Sequence, residues 1–336
     1  MKTKMITAVC VSILVLLFGM SLGSVSIPPG DVFHILGHKL FGLELPVHIK
    51  ISDVSIFIHT RLPRALLAFI VGGAISVSGA VMQSTMRNPL ASPYTLGVSS
   101  GASLGACLVI FYGATLPIAT NLTLPLSGFL FGLGTIFLAI GIARQLDGQM
   151  QNNTIILVGM VFSLFINALT TLLSAVKREY IQQLLLWQMG SFAMKDWMPV
   201  YILAPVTVMG TLFITHYNRE LDMMTFGEEQ AKSMGVHLNP VKWTLLITSA
   251  ALTGSAIAFC GIIGFVDLVV PHIVRRIFGA LHRYVIPMSA VIGGALMVVC
   301  DLVARSVVSG GELPVGAITA LIGAPFFAYI FFGGKQ

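Results

Sequence analysis

Long apolar stretches recur along the whole chain, and most contain about 20 residues, the length that a helix needs to cross a bilayer. The intervals between them are too short for a separate soluble domain. The pattern therefore predicts one all-α membrane domain over residues 1–336, with about ten transmembrane helices. The predicted spans are 5–24, 63–84, 93–112, 122–143, 153–175, 197–216, 241–260, 263–280, 284–304 and 314–332.

Three polar intervals are predicted to carry structure of their own. Residues 25–60 form a long outer loop that lies partly in the membrane interface. Residues 176–196 are too polar to span and predict a short interfacial helix on the outer face, with Trp187 and Trp197 at headgroup depth. Residues 217–242 are the long polar stretch on the opposite, cytoplasmic side.

The pattern within 217–242 predicts a short amphipathic helix. Thr225 is expected to cap its start and Gly235 to end it, with Glu228 and Glu229 in the first turn. In most membrane proteins a segment of this kind is simply exposed to solvent. Here the short helix with two glutamates in its first turn suggests a surface element that fits into a groove of a partner. The predicted apolar contacts are Leu221, Met223, Phe226, Ala231 and Met234.

Small residues line the second and third predicted spans. Small faces let helix backbones approach closely in lipid, where the hydrophobic effect does not drive helices together. They are compatible with a tightly packed bundle and equally with a moving element. The residues are Gly72, Gly73, Ala74, Ser76, Ser78, Gly79 and Ala80, then Gly97, Gly101 and Gly105.

The first span resembles a signal peptide, since Lys2 and Lys4 precede it and Ser21–Ser24 follow its apolar run. Its length and the spans that follow favour an uncleaved first helix.

Composition supports an integral membrane protein. The chain is 56% hydrophobic and 10% charged, whereas soluble domains contain about 25% charged residues. The net charge of +6 is scattered along loops, which argues against a nucleic-acid partner. All four cysteines fall in predicted spans and are expected to be small buried hydrophobes rather than metal ligands or disulfides: Cys10, Cys107, Cys260 and Cys300.

Basic residues orient the predicted spans. Ten spans place both termini on one side, and making that side cytoplasmic puts 11 of the 19 lysines and arginines inside and 8 outside. This bias has the sign of the positive-inside rule.

Short motifs run in order from residue 60 to the end of the chain. Together they resemble the permease family of binding-protein-dependent ABC importers for iron-siderophores, haem and vitamin B12. The motifs are Arg61–Arg64, Ser78–Gln83, Arg87–Pro93, Leu96–Ala102, Gly227–Gly235, Gly261–Phe265, Val270–Arg275, Asp301–Arg305 and Glu312–Pro325.

The resemblance implies a type II importer permease with both termini cytoplasmic, in the plasma or inner membrane of a prokaryote. It implies a dimer with a second copy or a paralogue, two ATPase subunits that bind ATP with magnesium, and an extracytoplasmic substrate-binding protein. It also implies that lipid surrounds the complex. The chain itself is expected not to be an enzyme and to hold no metal or cofactor. The sequence independently lacks a phosphate-binding loop. Iron-siderophore transport is the commonest function in the family.

The resemblance also assigns roles to residues near both faces. Arg61, Arg64 and Arg305 match arginines that face acidic residues of the binding protein, and guanidinium groups bind carboxylates bidentately. Alternatively, Arg61 and Arg64 are interfacial anchors and Arg305 pairs with Asp301 one turn earlier.

On the cytoplasmic side, the resemblance implies contact with the ATPase and a gate. The residues expected to couple to the ATPase are Phe226, Gly227, Glu228, Glu229, Met234 and Gly235. Asn88 and Leu90 match an inner constriction. Asn152 and Asn153 match a second polar gate, or are ordinary turn residues.

Three residues of the eighth span need an explanation. Pro271 frees a backbone carbonyl, which the neighbouring His272 is expected to satisfy. Asp267 stands where the family usually has glycine. A carboxylate in a span must face water, pair with an arginine or be protonated. Asp267 is therefore a candidate for the transport path, for a solvated helix end, or for a departure from the family without a role of its own.

Two other functions compete with the importer. An ion-coupled secondary transporter would use Asp267, His272 and Asp301 as titratable groups; the sequence shows no evident half-to-half repeat. An intramembrane enzyme is disfavoured because neither a His-Glu-x-x-His nor a Gly-x-Ser-x-Gly motif is present.

Overall fold

The computed structural model describes residues 1–23, 27–113, 120–148, 151–308 and 311–333, and their regular structure is helical. A π-turn at Phe57–Arg61 and 3₁₀ turns at Pro93–Leu96 and Arg178–Tyr180 lie between α-helices. The α-helices are α1 (Lys2–Ser21), α2 (Pro29–Phe41), α3 (Ile51–Ile56), α4 (Leu62–Thr85), α5 (Val98–Tyr112), α6 (Thr120–Leu146), α7 (Asn152–Val176), α8 (Ile181–Gln188), α9 (Trp197–His216), α10 (Asn218–Phe226), α11 (Glu228–Ser233), α12 (Leu238–Cys260), α13 (Val266–Phe278), α14 (His282–Ser306) and α15 (Val315–Gly333).

Each of the ten intervals predicted to span the membrane contains a helix. Among the described residues, seven helices are long and apolar enough to cross a bilayer, namely α1, the helix ending in α4, α6, α7, α9, α12 and α14. Helices α5 and α15 are shorter apolar helices, and α13 has 13 residues. The prediction of an all-α membrane protein is confirmed, whereas ten crossings and cytoplasmic termini stay predictions.

The third predicted span starts later than expected. Residues 93–96 form a 3₁₀ turn, and Gly97 has a φ of 95°. This left-handed backbone suits glycine. It separates the turn from α5, which begins at Val98 rather than at residue 93.

Helix α4 lies at the centre of the fold. Together with α3 and the π-turn it forms one helix of 35 residues, and 83% of its most apolar stretch is buried. Its glycines lie directly against neighbouring backbones. A Cβ at Gly72 would overlap the carbonyl oxygen of Gly293 in α14, and one at Gly79 would overlap that of Asp267 in α13.

Helix α5 packs against α6 in the same way. Cβ atoms at Gly101 and Gly105 would lie 2.5 and 2.6 Å from the carbonyl oxygens of Phe131 and Ser127. The small faces predicted from the sequence therefore do serve close helix packing.

The two polar segments predicted on the outer face are also partly helical. The first loop holds α2 and α3, and the interval 176–196 holds α8, an eight-residue helix. The indole Nε1 of Trp197 donates a hydrogen bond to the carbonyl of Ile58 at 2.9 Å, which ties the start of α9 to the π-turn. The headgroup depth of the tryptophans stays a prediction.

Candidate partner-binding and gating sites

The three predicted docking arginines surround one open pocket at the start of α4. Arg61 ends the π-turn, Arg64 lies in the first turn of α4, and Arg305 lies in the last turn of α14. The pocket has a volume of about 340 Å³ and also includes Gly23, Thr60 and Glu312. We call it the arginine pocket.

Arg64 is held by two carboxylates of its own chain. Its Nε and Nη2 donate to Asp301 Oδ1 at 3.0 and 2.8 Å, and its Nη1 and Nη2 donate to Glu312 at 2.7 and 3.0 Å. The arginine is 8% exposed and Asp301 is 2% exposed. Arg64 is therefore an internal brace among α4, α14 and the residues before α15.

Arg61 and Arg305 bind the C-terminal end of α1. Arg61 Nη1 donates to the carbonyls of Met20 at 3.3 Å and Ser21 at 2.7 Å. Arg305 Nη2 donates to the carbonyl of Gly19, and its Nε lies 3.6 Å from Asp301 Oδ2. The last carbonyls of a helix lack intrahelical donors and carry partial negative charge, so both contacts are favourable. The pair of Arg305 with Asp301, which the alternative interpretation predicted, is therefore present. The docking role of the three arginines stays a prediction.

At the other end of α4 lies the coupling segment, residues 217–242, which forms α10, α11 and the start of α12. Thr225 does not cap α11, because it lies inside α10 and its hydroxyl donates to the carbonyl of Asp222 at 2.6 Å. Gly227 precedes α11 instead, with a φ of 131°, a backbone conformation that favours glycine.

Gly235 ends α11 as predicted. Its φ is 92°, its N–H bonds to Lys232, and the N–H of Val236 bonds to Ala231 at 3.0 Å. This pair of bonds is a Schellman motif, which satisfies the last carbonyls of a helix.

The apolar side chains of the coupling segment divide into two sets. Leu221 and Ala231 are fully buried against the helices behind them, whereas Phe226 is 70% and Met234 48% exposed. Phe226 and Met234 are therefore largely accessible on this chain, and their predicted contact with the ATPase stays a prediction. Large exposed apolar side chains beside charged ones are typical of a surface that binds a partner.

The two glutamates that begin α11 have different environments. Glu229 is exposed. Glu228 Oε1 lies 2.6 Å from Nζ of Lys242, a lysine with no exposed surface. Glu228 therefore belongs to an internal ion pair, and of the two carboxylates only Glu229 is free to face a partner.

The predicted gate residues lie near the C-terminal end of α4. Asn88 accepts a hydrogen bond from the N–H of Leu90 at 2.9 Å, which forms a local turn, and Leu90 is 44% exposed. Asn152 Nδ2 donates to the carbonyl of Met86 at 3.0 Å, and Asn153 is exposed. The structure thus brings Asn152 beside this turn.

The freed carbonyl in α13 is satisfied by a different residue than predicted. Pro271 cannot donate to the carbonyl of Asp267, and Gln83 Nε2 of α4 bonds that oxygen at 3.1 Å. In the part of the chain that the structure describes, the imidazole of His272 forms no hydrogen bond. The prediction for His272 is therefore wrong, because Gln83 of α4 binds the freed oxygen instead.

The side chain of Asp267 is 1% exposed and accepts a hydrogen bond from the hydroxyl of Ser92, while its Oδ1 has no hydrogen-bond partner among the described residues. It lies in the first turn of α13, where the helix N-terminus favours a negative charge. Asp267 thus neither faces water nor pairs with an arginine among the described residues. Its carboxylate instead contacts Ser92, in the turn that follows α4.

Three residues that bind the coupling segment to the core were not predicted from the sequence. They are Lys242, Asp222 and His282, of which Lys242 and His282 are at most 1% exposed. One signal for them was available in the sequence. Lys242 is the second residue of a predicted span, and a buried cation requires a partner.

Among the described residues, no group of three or more His, Cys, Asp or Glu side chains is placed to hold a metal ion. Cys107, Cys260 and Cys300 are buried as predicted, whereas Cys10 is exposed. The predicted burial of Cys10 is therefore wrong, because only 17% of the apolar stretch of α1 is buried.

Comparison with known proteins supports a transport function. The model of the FecCD transport family matches residues 11–332. The uncharacterized ABC transporter permease protein YvrB of Bacillus subtilis is 40% identical over 94% of this chain and 89% of its own length. The cobalamin import system permease protein BtuC of Halobacterium salinarum is 39% identical over 80% of this chain and 71% of its own.

A solved structure has the same fold along the whole chain. It is described as an inward-facing conformation of an ABC transporter of the metal-chelate type, and it aligns with a TM-score of 0.85. The alignment covers 99% of this chain and 100% of the other at 29% identity.

Proposed function

Because the chain belongs to the FecCD transport family, we propose that it is the membrane-spanning permease subunit of an ATP-driven importer. Its relatives are permease subunits, not enzymes. The proposed complex contains two permease chains (a second copy or a paralogue), two ATPase subunits that bind ATP with magnesium, and a substrate-binding protein. It lies in the plasma or inner membrane of a prokaryote.

The observation that carries this proposal is the position of the two candidate partner sites at opposite ends of α4. The helix has 24 residues, which corresponds to about 36 Å at 1.5 Å per residue. This distance exceeds the hydrocarbon thickness of a bilayer, about 30 Å. A protein with one partner on each side of the membrane needs such an arrangement.

At the cytoplasmic end, the exposed side chains of the coupling segment bind the ATPase in this proposal. Phe226 and Met234 supply apolar contacts, Glu229 supplies charge, and Gly227 and Gly235 set the two ends of α11. Glu228 keeps α11 in position through Lys242.

At the outer end, carboxylates of the binding protein approach the arginine pocket. Three arginines there face two carboxylates, Asp301 and Glu312, so the pocket keeps an excess positive charge. Such charge orients and accelerates docking more than it strengthens the complex.

Asn88 and Leu90, with Asn152 and Asn153 beside them, form the inner gate in this proposal. A constriction of polar and apolar side chains closes by excluding water and opens with a small helix movement. The hydrogen bond from Asn152 to Met86 supports the grouping, since Met86 is two residues before Asn88 in the chain.

For the substrate we propose a metal chelate, and within that class an iron-siderophore, with haem and cobalamin as the other candidates. A cobalamin permease among the relatives and a metal-chelate transporter among the similar structures support the class. We infer that the binding protein makes most of the selection among chelates.

Purification and uptake measurements test the proposal. A tagged chain is extracted from its native membrane in mild detergent, and co-purifying proteins are identified by mass spectrometry. The complex is then placed in vesicles, and uptake of a ferric siderophore, haem and cobalamin is measured with and without ATP. We expect a co-purifying ATPase and ATP-dependent uptake of one chelate.

Uptake driven by a proton gradient, without any associated ATPase, would contradict the proposal. That result would favour an ion-coupled secondary transporter and would make the buried carboxylates Asp267 and Asp301 the first candidates for ion binding.

A further inference from the structure

A buried polar link joins α11 to the end of α4. Lys242 Nζ bonds Glu228 Oε1 at 2.6 Å and Asn152 Oδ1 at 2.9 Å. Asn152 Nδ2 in turn bonds the carbonyl of Met86, the residue directly after α4, at 3.0 Å. One lysine and one amide thus connect the first residue of α11 with the C-terminal end of α4.

A second link starts from α10. Asp222 Oδ1 accepts hydrogen bonds from the backbone N–H of His282 at 2.9 Å and from its Nδ1 at 2.6 Å. His282 Nε2 lies 2.6 Å from the hydroxyl of Ser84, which also accepts a bond from Arg275 at 3.2 Å. Ser84 belongs to the last turn of α4.

Both links reach α4 within three residues, at Ser84 and Met86. The chain then turns sharply at Arg87, which has a φ of 49°. This left-handed conformation is uncommon for a residue other than glycine. The next residues are Asn88 and Leu90, the candidate gate.

Each link contains one enclosed side chain, Lys242 or His282, and this side chain is expected to move together with its bonded partners. The side chain of Lys242 has no exposed surface, so its charge has no water to replace Glu228 or Asn152 if either moves away. His282 is similarly enclosed, at 1% exposure. Apolar contacts could slide past one another, whereas these bonds require their partners to follow.

We propose that the coupling segment sets the position of the turn after α4 through these two links, with Lys242 and His282 as the positioning residues. In terms of the proposed function, which this inference deepens, ATPase movements at the coupling segment reach the gate by this route. Contact of a partner with the segment and the position of the turn are then linked through the buried side chains of Lys242 and His282, whose partners Glu228 and Asp222 are 26% and 28% exposed.

The test measures the turn directly in the isolated chain. A Leu90→Cys variant in a Cys10→Ser background places a thiol on the exposed turn, because the remaining cysteines, Cys107, Cys260 and Cys300, are buried. The maleimide labelling rate at position 90 is then measured in detergent. We expect Glu228→Gln and Lys242→Met each to change it by roughly 2- to 30-fold, the range for residues that carry coupling.

Double variants distinguish loss of the link from a general loosening of the fold. The double variant Glu228→Gln with Lys242→Met is expected to change the rate no more than either single variant, because one link is broken in each case. Exchange of the pair, Glu228→Lys with Lys242→Glu, is expected to restore it in part. Asp222→Asn tests the second link in the same assay.

The controls are Glu229→Gln, on the same helix but exposed, and Lys39→Met, an exposed lysine on α2. Both are expected to leave the labelling rate unchanged. Equal labelling in all folded variants, or equal changes in controls and link variants, would overturn the inference. The assay needs neither ATP nor substrate. Link-dependent labelling of the isolated chain, together with no ATP-driven uptake by the complex, would therefore refute the proposed function and leave this inference standing.

Discussion

The two ends of α4 carry the two candidate partner sites, and they use their charged side chains in opposite ways. At the arginine pocket, Arg61 and Arg64 are at least 92% buried and bind groups of their own chain. At the coupling segment, Glu229 is exposed beside Phe226 and Met234, and one ion pair is kept inside. The first site offers a pocket with excess charge, and the second offers projecting side chains.

This difference changes how each site is to be tested. A substitution of Arg64 disturbs folding as well as docking, because the guanidinium joins two carboxylates of the chain. A substitution of Phe226 removes a side chain that is 70% exposed, so its effect reports mainly on a partner.

The largest effect is expected for Arg64→Met. The change leaves Asp301 buried without its main counter-charge, and removal of one partner of a buried pair costs about 3–5 kcal/mol. The thermal unfolding midpoint in detergent should fall strongly. Arg178→Met, at an exposed arginine outside the pocket, serves as the control. An unchanged midpoint for Arg64→Met would show that the brace is unimportant.

Phe226→Ala is expected to weaken the ATPase and leave the fold intact. An apolar anchor at an interface contributes roughly 2 kcal/mol, which is about a 30-fold loss of affinity. The dissociation constant of the purified subunits measures it. Phe41→Ala, at a phenylalanine that is 79% exposed on α2, should bind normally. Equal binding by the Phe226 variant would place the ATPase contact elsewhere.

Asp267→Gly is expected to leave assembly intact. It removes one hydrogen bond, to Ser92, worth about 1 kcal/mol, and it also removes a buried carboxylate oxygen that has no partner among the described residues. Ser92→Ala breaks the same bond but leaves the carboxylate buried without its donor and removes the acceptor for the N–H of Tyr94, so it should lower the unfolding midpoint more. Loss of the folded complex in the aspartate variant would mean that the carboxylate has a larger structural role.

The smallest effect is expected for Glu312→Gln, and its sign is distinctive. Neutralising this half-exposed carboxylate increases the positive charge of the pocket without removing an arginine. Association with the binding protein should become roughly 2- to 5-fold faster at low salt, with little difference at high salt. Glu44→Gln, outside the pocket, is the control. Slower association would indicate that the partner surface is not acidic.

Much of the fold could be predicted because apolar run length determines membrane helices. Every predicted span contains a helix, and the glycines of α4 pack as their size indicated. Local signals also worked at Gly235, whose left-handed backbone ends α11.

The partners of charged side chains could not be predicted, because they depend on which helices meet. Arg64 and Glu312 are 248 residues apart in the sequence, and nothing local connects them. The freed carbonyl of Asp267 is bound by Gln83 rather than by the adjacent His272 for the same reason. The local sequence indicated that these groups need partners. It did not indicate which residues the partners are.

The central claim is that the two ends of α4 face two different partners, and site-specific photo-crosslinking in native cells tests it most directly. A photoreactive residue replaces Phe226 at the coupling segment and, in a second strain, Val308 at the rim of the arginine pocket, both exposed. We expect position 226 to capture an ATPase subunit and position 308 to capture an extracytoplasmic binding protein. Capture of the same protein at both positions, or of no ATPase at position 226 in a chain that still transports, would contradict it.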